Sequence, residues 1–130
     1  MIRAAVLFVG LAMSSATAAA PRGGGFPEDF WGRWGESRAG CSAGAVHGGI
    51  TIERLSVRDG EFEGDVRKVV RRANGSIDVT ENWADFDEGP TTFVSNYELS
   101  KDRNSLTLRT MPLPGEGPEI ETLTRCGAAQ

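Results

Sequence analysis

Hydrophobic and polar residues alternate along most of the chain after residue 47. The alternating segments predict strands at 31–36, 48–57, 61–72, 76–85, 92–100, 105–111 and 119–126. Because successive side chains of a strand point to opposite faces, each segment has one face suited to a core and one suited to water. Short polar connections separate the segments, and none has a helical period. The pattern predicts an all-β, single-domain antiparallel meander of about seven to eight strands, closed or nearly closed into a barrel.

The Asn74-Gly75 dipeptide predicts the register of one central hairpin. Asn-Gly tolerates the positive φ angles of a two-residue turn, so residues equally distant from the turn face each other. This register pairs Val70 with Val79 and places Lys68 opposite Glu81 on the same, otherwise apolar face. Two interpretations remain open: an interior ion pair that satisfies itself, which we favour, or a polar lining where a ligand binds.

A second dipeptide, Asp59-Gly60, predicts the preceding turn. A turn centred there pairs Val57 with Phe62. Earlier in the same segment the alternation breaks just after Ile52. One extra residue near Glu53 restores the pattern, so we predict a β-bulge at that point.

A third hairpin is predicted from the alternation in residues 97–108. A turn centred on Asp102-Arg103 pairs Leu99 with Leu106 and Tyr97 with Leu108. Both pairs are apolar, which is what a shared core face requires.

The N-terminus has the layout of a bacterial export signal. A short basic head precedes the apolar run 4–13, and small residues follow. We predict a signal peptide over 1–18, with cleavage after residue 20 as the alternative. The run is too short for a membrane span. Residues 19–29 are rich in Gly and Pro and predict a flexible arm, and 30–130 form the barrel domain. The predicted location is periplasmic or secreted.

Charge and cysteine content limit the classes of function. The formal net charge is −4 at pH 7, which argues against nucleic acid as a partner. The two cysteines, Cys41 and Cys126, both lie in the exported part. An even number of cysteines in an oxidising compartment predicts a disulfide.

Candidate catalytic residues are scarce. His47 is the one histidine in the chain, so a multi-histidine metal site is excluded. The acidic segment 85–89 lacks the length of a calcium-binding loop and is interpreted as a solvated turn. We expect no catalytic, cofactor or metal residues, and an enzyme is the least favoured class of function.

The segment "GRW" at 32–34 resembles the Gly-x-Trp signature of the lipocalin and calycin group. The resemblance implies that Gly32 and Trp34 help to close one end of the barrel and that Arg125, near the end of the last strand, packs over Trp34. In size the domain is similar to the small bacterial metalloprotease inhibitors of this barrel type. We therefore expect a monomeric, non-enzymatic binding module that acts on a protein partner, through residues 19–29. The alternative is a carrier that holds a small apolar ligand inside the barrel.

Overall fold

Eight strands form one closed antiparallel barrel, which confirms the predicted meander. The computed structural model describes residues 24–42, 47–85, 89–110, 117 and 119–127. The strands follow one another around the barrel in chain order, and the first pairs with the last. Their bounds are β1 Gly32–Gly35, β2 Gly49–Ile52, β3 Ser56–Asp59, β4 Phe62–Arg71, β5 Ile77–Asp85, β6 Gly89–Leu99, β7 Ser105–Thr110 and β8 Glu119–Arg125.

Two short 3₁₀ helices flank the first strand. One spans Glu28–Phe30 and the other Ala39–Cys41. Within the described ranges, no helix has the length and hydropathy needed to cross a membrane. The predicted signal peptide lies outside these ranges.

The segment predicted as one strand over 48–57 is two strands, β2 and β3, joined by a tight turn. Ile52 pairs with Val57 across this turn, and the Glu53 N–H donates a hydrogen bond of 2.9 Å to the Ser56 carbonyl. The β-bulge predicted near Glu53 is therefore wrong. Reversing the chain brings Ile52 and Val57 to the interior together, because directly paired residues share a face of the sheet.

The hairpin of β3 and β4 turns one residue later than predicted. Gly60 has φ of +61°, so the loop is Gly60-Glu61, and Val57 pairs with Gly64 rather than with Phe62. The first loop residue of such a hairpin needs a positive φ, which glycine adopts at little cost. The register differs from the prediction by two residues, and because a shift of two keeps the face, Val57 and Phe62 both line the interior as predicted.

The hairpin of β4 and β5 has a three-residue loop instead of the predicted two-residue turn. Residues 73–75 form the loop, Gly75 has φ of +88°, and the Arg72 N–H donates to the Ser76 carbonyl over 2.8 Å. Asn74 Oδ1 also accepts the Ser76 N–H over 3.0 Å. A loop with a glycine of positive φ in third place is a common alternative to the two-residue turn.

The longer loop shifts the register by one residue and overturns the predicted Lys68–Glu81 pair. Lys68 pairs with Thr80 and is exposed, whereas Glu81 pairs with Val66 and is buried. A one-residue shift sends each side chain of β4 to the opposite face. An irregularity between Val66 and Lys68 then returns Val66 to the interior. The sheet does contain a bulge, but it lies in β4.

The same shift overturns the predicted Val70–Val79 pair. Val69 faces Val79 instead, and Val70 is 43% exposed on the outside of the barrel. The third hairpin, by contrast, has the predicted register, with Leu99 opposite Leu106. Its Tyr97 likewise pairs with Leu108, so the prediction for this hairpin is confirmed.

The core fills one end of the barrel, which we call the closed end. Phe26, Phe30 and Trp34 lie there, all at most 5% exposed. Phe26 packs edge-on against Tyr97, and its N–H bonds the Arg54 carbonyl over 2.8 Å. Residues 24–29 are therefore not the flexible arm that was predicted, because burying an aromatic ring holds this segment to the barrel. Residues 19–23 lie outside the described ranges.

A disulfide joins the two ends of the barrel sequence, as predicted. Cys41 and Cys126 are bonded, with 5.2 Å between their Cα atoms. Cys41 ends the second 3₁₀ helix, and Cys126 directly follows β8. The bond lies beside the contact of β1 with β8, where two residue pairs, Trp34–Arg125 and Gly35–Thr124, close the sheet.

Candidate functional site

The opposite end of the barrel, which we call the open end, contains a cavity of about 470 Å³. This volume lies within the range of small-molecule sites. Phe62 lines the cavity and is still 51% exposed, so the cavity is in contact with solvent. The lining comes from seven of the eight strands: Ile50, Val57, Asp59, Phe62, Glu81, Trp83, Ala84, Thr91, Phe93, Ser95, Tyr97, Leu108, Thr110, Glu119 and Glu121.

A buried carboxylate lies at the base of the cavity. Glu81 is 2% exposed and accepts a hydrogen bond from the Tyr97 hydroxyl and another, of 3.0 Å, from Trp83 Nε1. Both donors are neutral. In the part of the chain that the structure describes, no Lys, Arg or His side chain pairs with Glu81. Glutamates are seldom buried this fully without a cationic partner.

Burial shifts the pKa values of the Glu81 carboxyl group and the Tyr97 hydroxyl group. Removal from water raises the pKa of Glu81, although the hydrogen bonds from Tyr97 and Trp83 favour the ionised form and oppose the shift. The pKa of Tyr97 is also raised, by burial first and then by the negative charges of Glu81 and Asp59. Tyr97 therefore keeps its proton at neutral pH and remains a donor to Glu81.

Three further carboxylates line the cavity: Asp59, Glu119 and Glu121. Partial burial raises the pKa of Glu121, and repulsion from Glu36, Glu119 and Asp59 adds to the shift. These acidic groups thus affect one another electrostatically. Among the described lining residues there is no Lys, Arg or His, so the cavity has negative potential.

Aromatic rings form part of the cavity wall. Trp83, Phe62 and Phe93 line it together with aliphatic residues of β2, β3 and β7. Gly64, which lies opposite Trp83, makes room for the indole, because a Cβ atom at this position would collide with the ring. The cavity therefore combines apolar, aromatic surface with carboxylates.

The three residues assigned to closure of the barrel lie at the closed end, away from this cavity. Trp34 is fully buried, and the guanidinium carbon of Arg125 lies 4.2 Å from the centroid of its ring. Arg125 also donates hydrogen bonds to the backbone carbonyls of Asp29, Trp31 and Arg103. Gly32 has φ of +116°, a conformation that favours glycine. The contact of Arg125 with Trp34 that the resemblance implied is present.

The sequence predicts an interior position for Glu81, which is correct, but the predicted partner Lys68 is wrong. Its actual hydrogen-bond partners, Tyr97 and Trp83, are not among the site residues that the sequence predicts. A signal for Tyr97 existed, because the correctly predicted pairing with Leu108 already placed it on the core face. The pairing of β5 with β6 sets Tyr97 opposite Ile77, and Glu81 opposite Phe93, and no turn motif in the sequence predicted that register.

The other candidates from the sequence are His47 and the acidic segment 85–89, and none of their described residues lines this cavity. His47 is exposed, and residues 86–88 of the acidic segment lie outside the described ranges. Across the described residues, no group of three or more His, Cys, Asp or Glu side chains is arranged to hold a metal ion.

Comparison of the chain with protein families, with curated proteins and with solved structures finds no match. The fold and the cavity are therefore the basis for any assignment of function.

Proposed function

We propose that this chain is an exported, non-enzymatic binding protein whose barrel interior holds a small ligand. The observation that carries the proposal is the cavity of about 470 Å³ at the open end. A wall of aromatic and aliphatic side chains with a few convergent polar groups is typical of ligand sites. The buried Glu81–Tyr97 pair supplies such polar groups, because both residues line the cavity and are hydrogen-bonded to each other.

The closed end supports a lipocalin-like class for this barrel. Gly32 and Trp34 form the Gly-x-Trp step on β1, and Arg125 from β8 lies over the Trp34 ring. In such a molecule one end is plugged and the other admits the ligand. Export is supported by the N-terminal sequence and by the Cys41–Cys126 disulfide, since such bonds persist in oxidising compartments.

The inhibitory hypothesis, in which residues 19–29 act as a free arm on a protein partner, has less support. Phe26 is 2% exposed, and Trp31 Nε1 donates a hydrogen bond of 2.8 Å to its carbonyl. Releasing this segment to bind a partner would expose the Phe26 ring to water, at a cost of about 1.5–3 kcal/mol. The carrier hypothesis requires no such rearrangement.

A cavity-filling variant tests the proposal. Thr91 lines the cavity, whereas its neighbour Thr92 is exposed on the outer face of β6. The purified protein is incubated with a small-molecule extract of its host's cell envelope and examined by native mass spectrometry. We expect a bound small molecule in the parent protein and in Thr92→Trp, and its loss in Thr91→Trp. A ligand that Thr91→Trp retains fully, or no bound molecule in the parent, would contradict the proposal.

A further inference from the structure

We propose that the ligand of this cavity is an organic cation with an apolar body, and that its charged group binds the carboxylate of Glu81. The proposal rests on the ligand-binding function proposed above and names its substrate class. Four structural observations support it: the unpaired burial of Glu81, the charge of the lining, the aromatic wall and the spread of the carboxylates.

Glu81 lacks the partner that a buried carboxylate needs. Transfer of an ionised carboxylate out of water is costly unless a cation compensates it. Tyr97 and Trp83 donate one hydrogen bond each, whereas a carboxylate has about four acceptor positions. Acceptor capacity therefore remains on a group that lines the cavity. An ammonium group of a ligand would use this capacity and supply the missing positive charge.

The negative charge of the lining also favours a cationic ligand. Asp59, Glu119 and Glu121 line the cavity, and no basic side chain is found among the described lining residues. An anionic ligand would be repelled by these carboxylates, whereas a cation would be attracted.

The aromatic wall can bind the apolar body of the ligand. Trp83, Phe62 and Phe93 offer ring faces and edges to an apolar body, and rings of this kind also attract cations. Trp83 is positioned for both contacts, because its indole lines the cavity while its Nε1–H orients Glu81. A fully hydrated cation would gain little from these rings, so we infer an organic one.

The carboxylates are not arranged as a metal site. Calcium takes about six to eight oxygen ligands converging on one point. In the described residues, no cluster of three or more acidic, His or Cys side chains converges in this way. Spread carboxylates around an apolar wall fit an elongated organic cation better than a metal ion.

The test compares ligands that share a body and differ in charge. Tryptamine, tryptophol and indole-3-acetate carry a positive, neutral and negative group on one indole, and octylamine, octanol and octanoate repeat the series on an alkyl chain. Their affinities are measured by isothermal titration calorimetry near neutral pH. We expect the amine of at least one series to bind at least about tenfold more tightly than its neutral and anionic counterparts, the difference that about 1.4 kcal/mol provides.

Two variants locate the charged group. Glu81→Gln keeps an acceptor oxygen for Tyr97 or Trp83 but removes the charge, and we expect the amine to lose at least about tenfold in affinity while the alcohol loses little. Glu63→Gln removes the same charge from the outer face, where Glu63 is exposed beside Arg58, and is expected to leave both affinities unchanged. If Glu81→Gln fails to fold, Glu121→Gln takes its place, with a smaller loss expected for the amine.

The outcomes separate the two proposals. If the alcohols or acids bind as tightly as the amines, the cavity is a ligand site but the cation assignment is wrong. If the amine binds selectively but Glu63→Gln lowers its affinity as much as the cavity variant does, the ammonium group does not bind at Glu81. The assignment to Glu81 is then wrong. If none of the six compounds binds, the cation assignment is rejected, and native mass spectrometry of the parent protein with the envelope extract decides on the ligand-binding function.

Discussion

Phe26 stands edge-on against Tyr97, with 4.9 Å between the ring centroids and 90° between the ring planes. The hydroxyl of the same Tyr97 donates a hydrogen bond to Glu81 at the base of the cavity. The segment before β1 therefore packs against the residue that holds the buried carboxylate in place.

The packing of Phe26 predicts that residues 24–29 contribute to stability. Phe26→Ala should lower the free energy of unfolding by about 3–4 kcal/mol, as truncation of a buried aromatic ring does. Leu55→Ala is the control, since Leu55 is 45% exposed. Urea unfolding at equal slope measures both variants. A loss for Phe26→Ala no larger than that for Leu55→Ala would restore the interpretation of this segment as a free arm.

Trp34 should be the most costly aromatic residue to remove at the closed end. The ring is fully buried under Arg125, and its Nε1 donates to the Phe30 carbonyl over 2.8 Å. We expect Trp34→Ala to cost about 3–5 kcal/mol. Trp31→Ala is the matched control, because Trp31 is 36% exposed and should lose clearly less. If Trp34→Ala and Trp31→Ala lose equal free energy of unfolding in denaturant, Trp34 is not the residue that closes this end of the barrel.

The disulfide should provide a large share of the stability. Its two cysteines are 85 residues apart, and closing a loop of this length stabilises the fold by about 4–5 kcal/mol in the chain-entropy model. Replacing Cys41 and Cys126 by Ser should cause a loss of this size in urea unfolding. Reductant should destabilise the parent protein and have no effect on the double variant. A parent protein whose unfolding does not respond to reductant would contradict this prediction.

The raised pKa of Glu81 predicts a specific dependence of stability on pH. The folded protein retains this proton at pH values where the unfolded chain, with a pKa near 4.5, has already lost it. The contribution of Glu81 to the free energy of unfolding is therefore fully present below about pH 4.5. It is lost as the pH rises through the pKa of the folded state. Glu81→Gln lacks this loss, so its stability relative to the parent should increase as the pH rises from about 4.5 through the pKa of the folded state.

The measurement is a series of thermal or urea unfolding curves over that range. Glu63→Gln, on the outer face, should give a profile parallel to that of the parent. Hydrogen bonds from Asn96 and Arg72 lower the pKa of Asp78, whose contribution is lost only as the pH falls below about 3.8 and is common to all three proteins. Parallel profiles for Glu81→Gln and the parent would show that Glu81 is not the group that titrates.

The corrected register predicts that Lys68 and Glu81 act independently. Lys68 lies on the outer face opposite Thr80, so Lys68→Met should change stability by less than about 0.5 kcal/mol. A double-mutant cycle of Lys68→Met with Glu81→Leu should be additive within about 0.5 kcal/mol. A cycle on Arg72 and Asp78, which form an ion pair, is the positive control. Coupling above about 1 kcal/mol between Lys68 and Glu81 would favour the register with the two-residue turn.

The general architecture could be predicted because alternation and turn residues are local signals. The hairpin around Asp102-Arg103 has the predicted pairing down to Leu99 with Leu106. Its two strands carry apolar residues at positions that match in one register alone. The disulfide was predictable for a different reason, since two cysteines leave one pairing within the chain.

The register of β4 and β5 could not be predicted from the turn motif. Asn74-Gly75 suits a two-residue turn, but Gly75 is also suited to the third position of a longer loop, and the sequence does not decide between them. β4 contains adjacent valines, Val69 and Val70, so either can face the core. The choice depends on the contacts of the complete barrel, in which Val69 packs inward and Val66 is returned to the interior by a bulge.

The cavity could not be predicted from the sequence either. Its base depends on β5 pairing with β6, whose connecting residues carry no turn motif that fixes a register. Glu81 pairs with Phe93, Tyr97 lies four residues beyond Phe93 on the same face of β6, and the Tyr97 hydroxyl reaches Glu81. A change of two residues in that register would move the hydroxyl to another partner.

The Cys41–Cys126 bond also determines what a single break in the backbone can do. The residues between the two cysteines form a covalent ring that contains β2 to β8, with β1 on one of two tails. Cutting one peptide bond anywhere in this ring leaves one molecule, and the cut ends become a new pair of termini. A single cut detaches a piece of chain only if it lies outside the ring or if the disulfide is also reduced. The protein is thus covalently circular over most of its strands, although it is encoded as a linear chain.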